Sequence, residues 1–480
     1  MKLMDTMRHE LVELEPVTPG AVGIYVCGVT PYAEAHVGHA MSLIVYDVLV
    51  RYLRWPGNPA GGYEVTFVTN YTDVDDKLIE RAAELGRDAL KLASENIELW
   101  EREQLLLGIE PPTHRPRVTS EMEQIVETIQ RIIDAGYAYV TAAGDVYYRV
   151  QAKADYGKLS HRNIEELRSG TRGEPGEGKE FPLDFALWKA QKPGEPAWPS
   201  PWSPGRPGWH IECSAMAQRY LGETFDIHGG GVDLIFPHHE NEIAQAEAAT
   251  GKPFARAWMH NGMVQFEGEK MSKSLGNVVT VGEALGRWHP DALRLFVLNS
   301  YYRGPNNLTE EAMGASTRGV ERLLGALDPF EAPEGAELLE AGETRARFVE
   351  AMEDDLGTPQ ALAALFELAR SINRGRDEGR DVAPAQAELR ELTSVLGLRL
   401  EEDDAADSLD AVALSKLAAE LEVVCGGTDV TSTVEALIER RAAARAERDF
   451  ALSDRIRDEL AALGVVLEDG AEGTRWSVRR

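Results

Sequence analysis

Two hydrophobic periods alternate along the first part of the chain. Val22 to Val29 (Val-Gly-Ile-Tyr-Val-Cys-Gly-Val) is a nearly unbroken apolar run, the pattern of a strand buried on both faces. From Ala40 the residues Met41, Ile44, Val45, Val48, Leu49 and Tyr52 recur at helical spacing. Tyr63 to Asn70 repeats the strand pattern, and a polar turn, Tyr71 to Lys77, enters another helix. Leu90 to Ile109 and Thr119 to Gly136 read as amphipathic helices, the first stopped by Pro111-Pro112. Tyr139 to Val150 reads as a hairpin turning at Ala143-Gly144-Asp145. Arg172 to Glu180 is a glycine-rich charged loop, and Pro193 to Pro207 is rich in proline. Trp258 to Phe266 predicts another strand. Helical periodicity then takes over, at Leu308 to Leu327, Glu343 to Asp354, Pro359 to Ile372 and Ala385 to Leu396. The tail from Val434 opens with one Arg-rich helix and continues as a strand and turn at Gly464 to Gly470, closing at Trp476.

Strands alternating with helices predict an α/β fold with a doubly wound parallel sheet of Rossmann type. The expected organisation is a sheet domain in two halves, 1–115 and 204–255, separated by an insertion at 116–203. A connecting region at 256–314 follows, then an α-helical bundle at 315–425 and a small C-terminal α+β domain at 430–480.

Composition adds three constraints. The 480 residues carry a net charge of −30, and only 12 of the 50 basic residues are lysine. An acidic, lysine-poor surface suggests a halophilic source, where concentrated salt screens self-repulsion. It argues against a nonspecific binder held to nucleic acid by phosphate contacts. Three cysteines are too few for a disulfide framework. No run reaches the roughly 18 apolar residues of a membrane span, and Met1 to Pro16 lacks the apolar core of a signal peptide. The expectation is a cytoplasmic, monomeric protein.

The chemistry gathers between Gly208 and Glu242. Cys213, His238 and Glu242 are all zinc-binding types, and Gly229 to Gly231 make a glycine-rich turn between them. His238 and Glu242 are four apart, which places them on one face of a helix starting near Pro237. A fourth ligand would have to come from elsewhere, and Cys27 and Cys425 are the other cysteines. At the first strand end, His36-Val37-Gly38-His39 opens a helix, a place suited to phosphate. The same histidines would also serve as helix-cap or core residues. Glu269 to Asn277 holds Lys270-Met271-Ser272-Lys273, a cationic loop able to stabilise phosphate charge, or a basic surface loop. In the tail, arginines 440, 441, 445, 448, 455 and 457 form either an anion site or a salt-bridged helix, since acidic residues are interleaved.

His-x-Gly-His after the first strand, with Lys-Met-Ser-Lys-Ser over two hundred residues later, resembles the class I aminoacyl-tRNA synthetases. Cys27, Cys213, His238 and Glu242, with Gly-Trp-His-Ile-Glu-Cys and Phe-Asp-Ile-His-Gly-Gly-Gly, are similar to the cysteinyl-tRNA synthetase family across nearly the whole chain. The resemblance implies ATP-dependent ligation of L-cysteine to tRNA(Cys) through cysteinyl-adenylate, with Mg²⁺ accompanying ATP. It implies one Zn²⁺ on those four residues, selecting the substrate thiolate. His36, His39, Lys270 and Lys273 would be catalytic. Gly38, His228, Gly229, Gly230, Met271 and Ser272 would bind the nucleotide. Thr72, Trp209 and Asp226 are expected at the substrate, and Arg445, Arg448, Phe450, Asp454 and Trp476 at the anticodon. One departure is Met41, where the family commonly has arginine; Arg51 or a salt cation would have to substitute if that arginine aids ATP. The nearest rival is a cysteine:amino-sugar ligase on the same catalytic fold, which would need neither bundle nor Arg-rich tail. A zinc hydrolase would want His-Glu-x-x-His spacing, which is absent. A tRNA-binding protein without activity would have no reason to keep the paired lysines and the zinc set.

Overall fold

The computed structural model describes residues 1–163, 178–266, 268–270, 278–401, 411–421, 423, 430–446, 449–470 and 473–478. They form two units, Met1–Leu285 with Pro290–Arg399, and Gly286–His289 with Leu400–Arg480. Among the described residues no helix is long and apolar enough to cross a membrane.

The first unit is built on four parallel strands: β1 (Ala21–Val29), β2 (Glu64–Tyr71), β3 (Phe225–Gly231) and β4 (Ala255–Asn261), in the order β4-β3-β1-β2. The chain lays β2 on one side of β1 and later returns to lay β3 on the other. The crevice beyond the carboxyl end of β1 is therefore the switch point at which open sheets of this kind bind ligands. Val22, Ile24, Tyr25 and Val26 are buried on both faces of the sheet, which is why β1 reads as a continuous apolar run.

Helix α1 (Val37–Arg54) follows β1 directly. Its inner end is fixed by a buried ion pair. Asp47 takes Arg294 at 2.5 Å and Arg51 at 2.9 Å, and accepts from the Glu110 amide. Arg294 also donates to the carbonyls of Leu107 and Leu396, tying α1 to the helical region. Removing one member of such a pair typically costs about 3–5 kcal/mol. Helix α2 (Ala89–Leu106) meets the end of β2, where Gln104 donates to the Tyr71 hydroxyl, and α3 (Trp209–Leu221) and α4 (Glu240–Thr250) flank β3 in sequence.

The insertion is an antiparallel sheet of Ala138–Val140, Val146–Tyr148, Phe185–Ala190 and Gly205–Pro207, paired in chain order. With helix Met122–Asp134 it shares one apolar cluster with the sheet domain, including Ile129, Tyr148, Trp188, Cys213 and Tyr25. Its last strand runs to Pro207, past the expected boundary at 203. Gly205 pairs so closely that a Cβ there would sit 2.1 Å from the Lys189 carbonyl oxygen. The single strand expected at Trp258 to Phe266 is two, β4 and Val264–Phe266, the latter pairing with Asn306–Leu308. The break falls at Gly262, where a Cβ would meet the Gly304 carbonyl oxygen at 2.0 Å.

Helices Glu310–Leu327, Thr344–Glu353, Thr358–Asp377 and Ala383–Val395 complete the first unit. Ala411–Glu420, read from the sequence as part of the bundle, belongs to the second unit, because Leu414 and Leu417 pack with Val434, Leu437, Ile456 and Val465. The Arg-rich tail is two helices, Val430–Ala446 and Phe450–Ala462, rather than one. Asp449 caps the second by accepting from the Leu452 amide. The hairpin Val465–Gly470 and Gly473–Val478 closes the unit.

Candidate active site

A cavity of about 370 Å³ opens beyond the carboxyl ends of β1 and β2. Its wall includes Cys27, Gly28 and Thr30 from the end of β1 and Asn70 and Tyr71 from β2. The two strand ends approach closely. The Gly28 amide donates to Asn70 Oδ1 at 2.9 Å, and a Cβ on Gly28 would lie 1.6 Å from the Asn70 carbonyl oxygen. Only glycine fits there, and the pairing of β1 with β2 shifts register between Val26 and Val29.

Behind the cavity floor, residues far apart in sequence converge. Cys27 Sγ lies 3.4 Å from His238 Nε2 and 3.2 Å from Glu242 Oε1, and those two atoms are 3.0 Å apart. Cys213, on α3, is buried near them, its Sγ donating to Asn70 Oδ1 at 3.8 Å. A second ring of histidines surrounds them. His228 Nε2 is 2.9 Å from Glu242 Oε2, and His210 Nδ1 is 2.9 Å from His238 Nδ1. His239 Nε2 lies 3.9 Å from Glu242 Oε1, while its Nδ1 meets His260 Nε2 at 2.8 Å. Cys27, His238, His239 and Glu242 each offer a donor atom within 4.8 Å of the others, an arrangement able to hold a metal ion.

The helix expected to carry both His238 and Glu242 starts later, at Glu240. His238 sits in the wide turn Ile235–His239, where Phe236 is extended. The turn still brings its ring to Glu242. Glu240 anchors this start by accepting from the amides of Gly157, Leu159 and Ser160 of the insertion.

Burial opposes ionisation of Glu242, but His228 and His238 outweigh it and hold the carboxyl well below its usual range. Burial likewise disfavours charge on His238, and Glu242 with Cys213 raises its pKa to about 10. For Cys213, burial opposes the thiolate, but hydrogen bonds with Cys27 and His238 bring the thiol down to about 6. Cys27 goes the other way, raised by burial and by Cys213.

The mouth is made differently. His36 is the N-cap of α1: its Nδ1 accepts from the Gly38 amide at 3.2 Å, and His39 Nδ1 accepts from the His36 amide at 3.2 Å. The two rings stack 3.8 Å apart at 15°. His36, Gly38 and His39 all line the cavity. Trp209 lines it as well, 37% exposed, with one face stacked on His238 at 4.2 Å. Lys270 closes the strand Glu269–Lys270 by its backbone, and Met271, Ser272 and Lys273 lie outside the described residues.

Several expected site residues stand elsewhere. Gly229 and Gly230 do not line the cavity. A Cβ on Gly229 would lie 2.4 Å from the Tyr46 ring and one on Gly230 2.8 Å from His239, so these glycines admit α1 and the histidine cluster to β3. Tyr46 fixes that contact by donating to the Met259 carbonyl and accepting from the Gly230 amide. His228 lies behind the floor against Trp258 and Glu242. Asp226 is at the opposite end of β3, its two oxygens taken by the amides of Val17 and Gly23. Thr72 is buried beside the cavity, donating to Glu212 and accepting from Asn70. Met41 is buried in an apolar pocket with Val37, Ile44 and Leu107, off the cavity, and Arg51 serves Asp47 and Glu110. Neither an arginine at position 41 nor Arg51 as its substitute would stand in the cavity wall.

In the second unit Phe450 is 63% exposed, Asp454 pairs with Arg457, and Trp476 is half-buried against the unit's core. Arg445 lies in the last turn of its helix, and Arg448 is outside the described residues. The sequence reading missed Trp100 and Gln104 of α2, and Asp233 and Asn261, all of which line the cavity. Asp233 follows the glycine turn by two residues and was legible as part of it; the α2 residues had no signal beyond a tryptophan on an amphipathic helix.

Comparison with known proteins matches three family models along the chain. Residues 13–318 match the tRNA synthetases class I (C) catalytic domain, 347–401 the DALR domain, and 427–476 the cysteinyl-tRNA ligase anticodon binding domain. The cysteine--tRNA ligase of Halorhodospira halophila is 50% identical over 481 residues, covering 99% of both chains. That of Chromohalobacter salexigens is 47% identical, covering 100% of this chain and 99% of the other. Among solved structures, Mycobacterium tuberculosis methionyl-tRNA synthetase in complex with methionyl-adenylate shares the fold. Its TM-score is 0.57 at 19% identity, over 79% of this chain and 90% of that one. On its catalytic-domain match and its full-length likeness to these relatives, the chain belongs to the cysteine--tRNA ligase family.

Proposed function

We propose that this protein ligates L-cysteine to tRNA(Cys), using ATP with Mg²⁺. The observation that carries the reading is the convergence of the Cys27 thiol, the His238 imidazole and the Glu242 carboxylate, with Cys213 buried near them, behind the floor of a cavity whose mouth bears His36 and His39. In the first step a cysteine carboxylate oxygen attacks the α-phosphorus of ATP. The bond to the β-phosphate breaks, and pyrophosphate leaves cysteinyl-adenylate. In the second, the 2′-hydroxyl of the terminal tRNA ribose attacks the cysteinyl carbonyl, and AMP departs. Chemistry of this kind depends on positioning and charge stabilisation more than on a protein nucleophile. His36 and His39 would hold phosphate oxygens at the start of α1, where the helix dipole also favours negative charge. Lys270 and Lys273 would neutralise charge on the departing pyrophosphate.

The donor set fits zinc. Separations of 3.0–3.4 Å among Cys27, His238 and Glu242 are those of neighbouring ligands bound at roughly 2.0–2.3 Å to one centre. His239 is the nearer donor to the other three, within 4.8 Å, but Cys213 is our choice of fourth ligand, because it is a buried thiol whose ionisation Cys27 and His238 favour, whereas His239 is already oriented by His260. Zinc, when bound, supplies a Lewis acid that takes a thiolate in preference to a hydroxyl. His228 and His210 would orient Glu242 and His238 as ligands. A site built for one bonding group rejects an analogue lacking it far more strongly than an apolar pocket rejects a methyl-sized difference. Serine should therefore be refused without a separate editing domain. In the second unit, exposed Phe450 would stack on an unpaired base and Arg445 would reach a base edge or phosphate. Trp476 would contribute through packing of the hairpin.

The amino-sugar ligase is less well supported, since matches at 347–401 and 427–476 cover regions it would not need. The test is transfer of labelled cysteine to total tRNA in molar KCl with zinc-replete protein, with serine as control. Cysteine-specific, ATP-dependent charging is expected. Cysteine-dependent ATP–pyrophosphate exchange without charging would favour the amino-sugar ligase, and neither activity in folded protein would overturn the reading.

A further inference from the structure

Glu240 lies two residues after His238 and two before Glu242, and it does not line the catalytic cavity. It is 1% exposed, and among the described residues no cation pairs with it. A buried carboxylate without a cation is costly unless amide donors replace its water. One loop of the insertion supplies three. The Gly157 amide donates to Oε1 at 2.9 Å, and those of Leu159 and Ser160 donate to Oε2 at 3.1 and 2.8 Å. The loop is shaped for this. Gly157 has a φ of +97°, a Cβ there would lie 1.9 Å from the Arg162 carbonyl oxygen, and the Arg162 amide closes the turn on the Gly157 carbonyl at 3.2 Å. Backbone turned in this way aims successive amides inward, as in the nests that bind anions. The same loop takes hold on the other side of His238. Arg162 lies over the ring of Phe236, two residues before His238, at 4.7 Å.

His238 is thus suspended between two grips of loop 157–162, one on Phe236 and one on Glu240. It stands after an extended residue and before α4 begins. We propose that Glu240 is a positioning residue for the metal: held by this loop, it sets where the His238 ring stands relative to Cys27 and Glu242, and with that the affinity of the site for zinc and of the zinc-loaded site for the cysteine thiolate. The proposal rests on the functional reading above and deepens it, giving the insertion a part in the metal site. Glutamine at 240 keeps one acceptor oxygen and turns a donor toward the amides in place of the other, so the grip fails with little change of shape. The same stretch of the insertion holds α4 at a second place, where Lys153 and Lys158 meet Glu247 at 2.7 and 2.6 Å. E247Q therefore loosens the same two parts away from the His238 turn.

The experiment uses full-length protein. It measures the Kd for zinc by competition with a chromogenic chelator, the KM values for cysteine and ATP in ATP–pyrophosphate exchange at saturating zinc, and Tm. E240Q is expected to raise the zinc Kd about tenfold and the KM for cysteine about tenfold, with kcat and the KM for ATP within about twofold of wild type. E247Q is expected to lower Tm while leaving the zinc Kd and the KM for cysteine unchanged. An E240Q protein with the wild-type zinc Kd and KM for cysteine would overturn the proposal. So would an E247Q protein that shifted both as far as E240Q, since the effect would then be general loosening. Wild-type protein that binds zinc without activating cysteine would instead overturn the functional reading, and the zinc comparison would still decide the role of Glu240.

Discussion

The floor and the mouth of the catalytic cavity are built on opposite principles. At the floor Cys27, Cys213, His238 and Glu242 come from four segments, and Cys27 meets Glu242 across 215 positions of sequence. At the mouth His36 and His39 are set within one helical turn, by hydrogen bonds spanning two and three residues. The floor exists only when β1, α3, the wide turn and α4 are all in place; the mouth forms wherever α1 begins. A long-range, buried cluster with a second ring of histidines is fixed in advance of substrate, which suits selection. A local cap at a helix start leaves its rings at the cavity wall, which suits phosphates that come and go.

Removing a floor ligand should have the largest effect. His238→Ala is expected to lose bound zinc and to lower kcat/KM for cysteine activation roughly 10³-fold, with the preference for cysteine over serine reduced. Metal content and ATP–pyrophosphate exchange measure the two consequences separately. At the mouth, His39→Ala should lower kcat for activation about 10²-fold while metal content stays unchanged. If His39→Ala also lost zinc, the two ends would be one unit and the contrast would fail.

The same contrast decides what was readable in the sequence. The strand–helix alternation and the helix opened by His36 are local, and periodicity alone located them. The metal-type residues were visible as residue types, but their meeting depends on tertiary geometry and came from the family resemblance. Where the reading went astray, a close backbone approach was usually the cause. Gly229 and Gly230, expected at the nucleotide, make room for Tyr46 and His239; Gly262 splits an apparent single strand. A glycine in a sequence announces that something comes near, without saying whether it is a ligand or another part of the chain. Asp226 and Thr72 were picked by residue type and position, and the partners they have are amides and side chains that only the folded chain supplies.

The ring behind the floor gives a smaller, sharper test. His228 touches Glu242 without lining the cavity. His228→Gln is expected to weaken zinc binding about 10–100-fold, as for other groups that orient a ligand, while activity at saturating zinc stays within a few-fold of wild type. A zinc titration followed by activity at each point separates affinity from rate. Unchanged affinity would mean the outer histidines only fill space.

Two buried carboxyls bring the comparison down to single groups. Glu242 at the floor is held ionised by His228 and His238. Glu103, on α2 beside the cavity-lining Gln104, is pushed the other way, up to about 7. Burial is the main cause and Glu34 adds to it, while the Gly282 amide and Arg102 only partly offset them. Its Oε2 has no hydrogen-bond partner among the described residues. Between the ordinary carboxylate pKa and about 7, the folded protein therefore holds a proton that the unfolded chain has released. Stability contributed by this group falls as pH rises through that window and is level above it. Glu103→Gln keeps the shape and removes the charge. Its Tm should match wild type at pH 5 and exceed it at pH 8 by on the order of 1 °C. Gly282 follows Thr280, which bridges to His36, so Glu103 braces the segment behind the mouth. If Glu103→Gln instead lowered Tm at pH 8, the ionised carboxylate would be a supporting contact of the mouth, and the difference between the two ends would narrow to their metal.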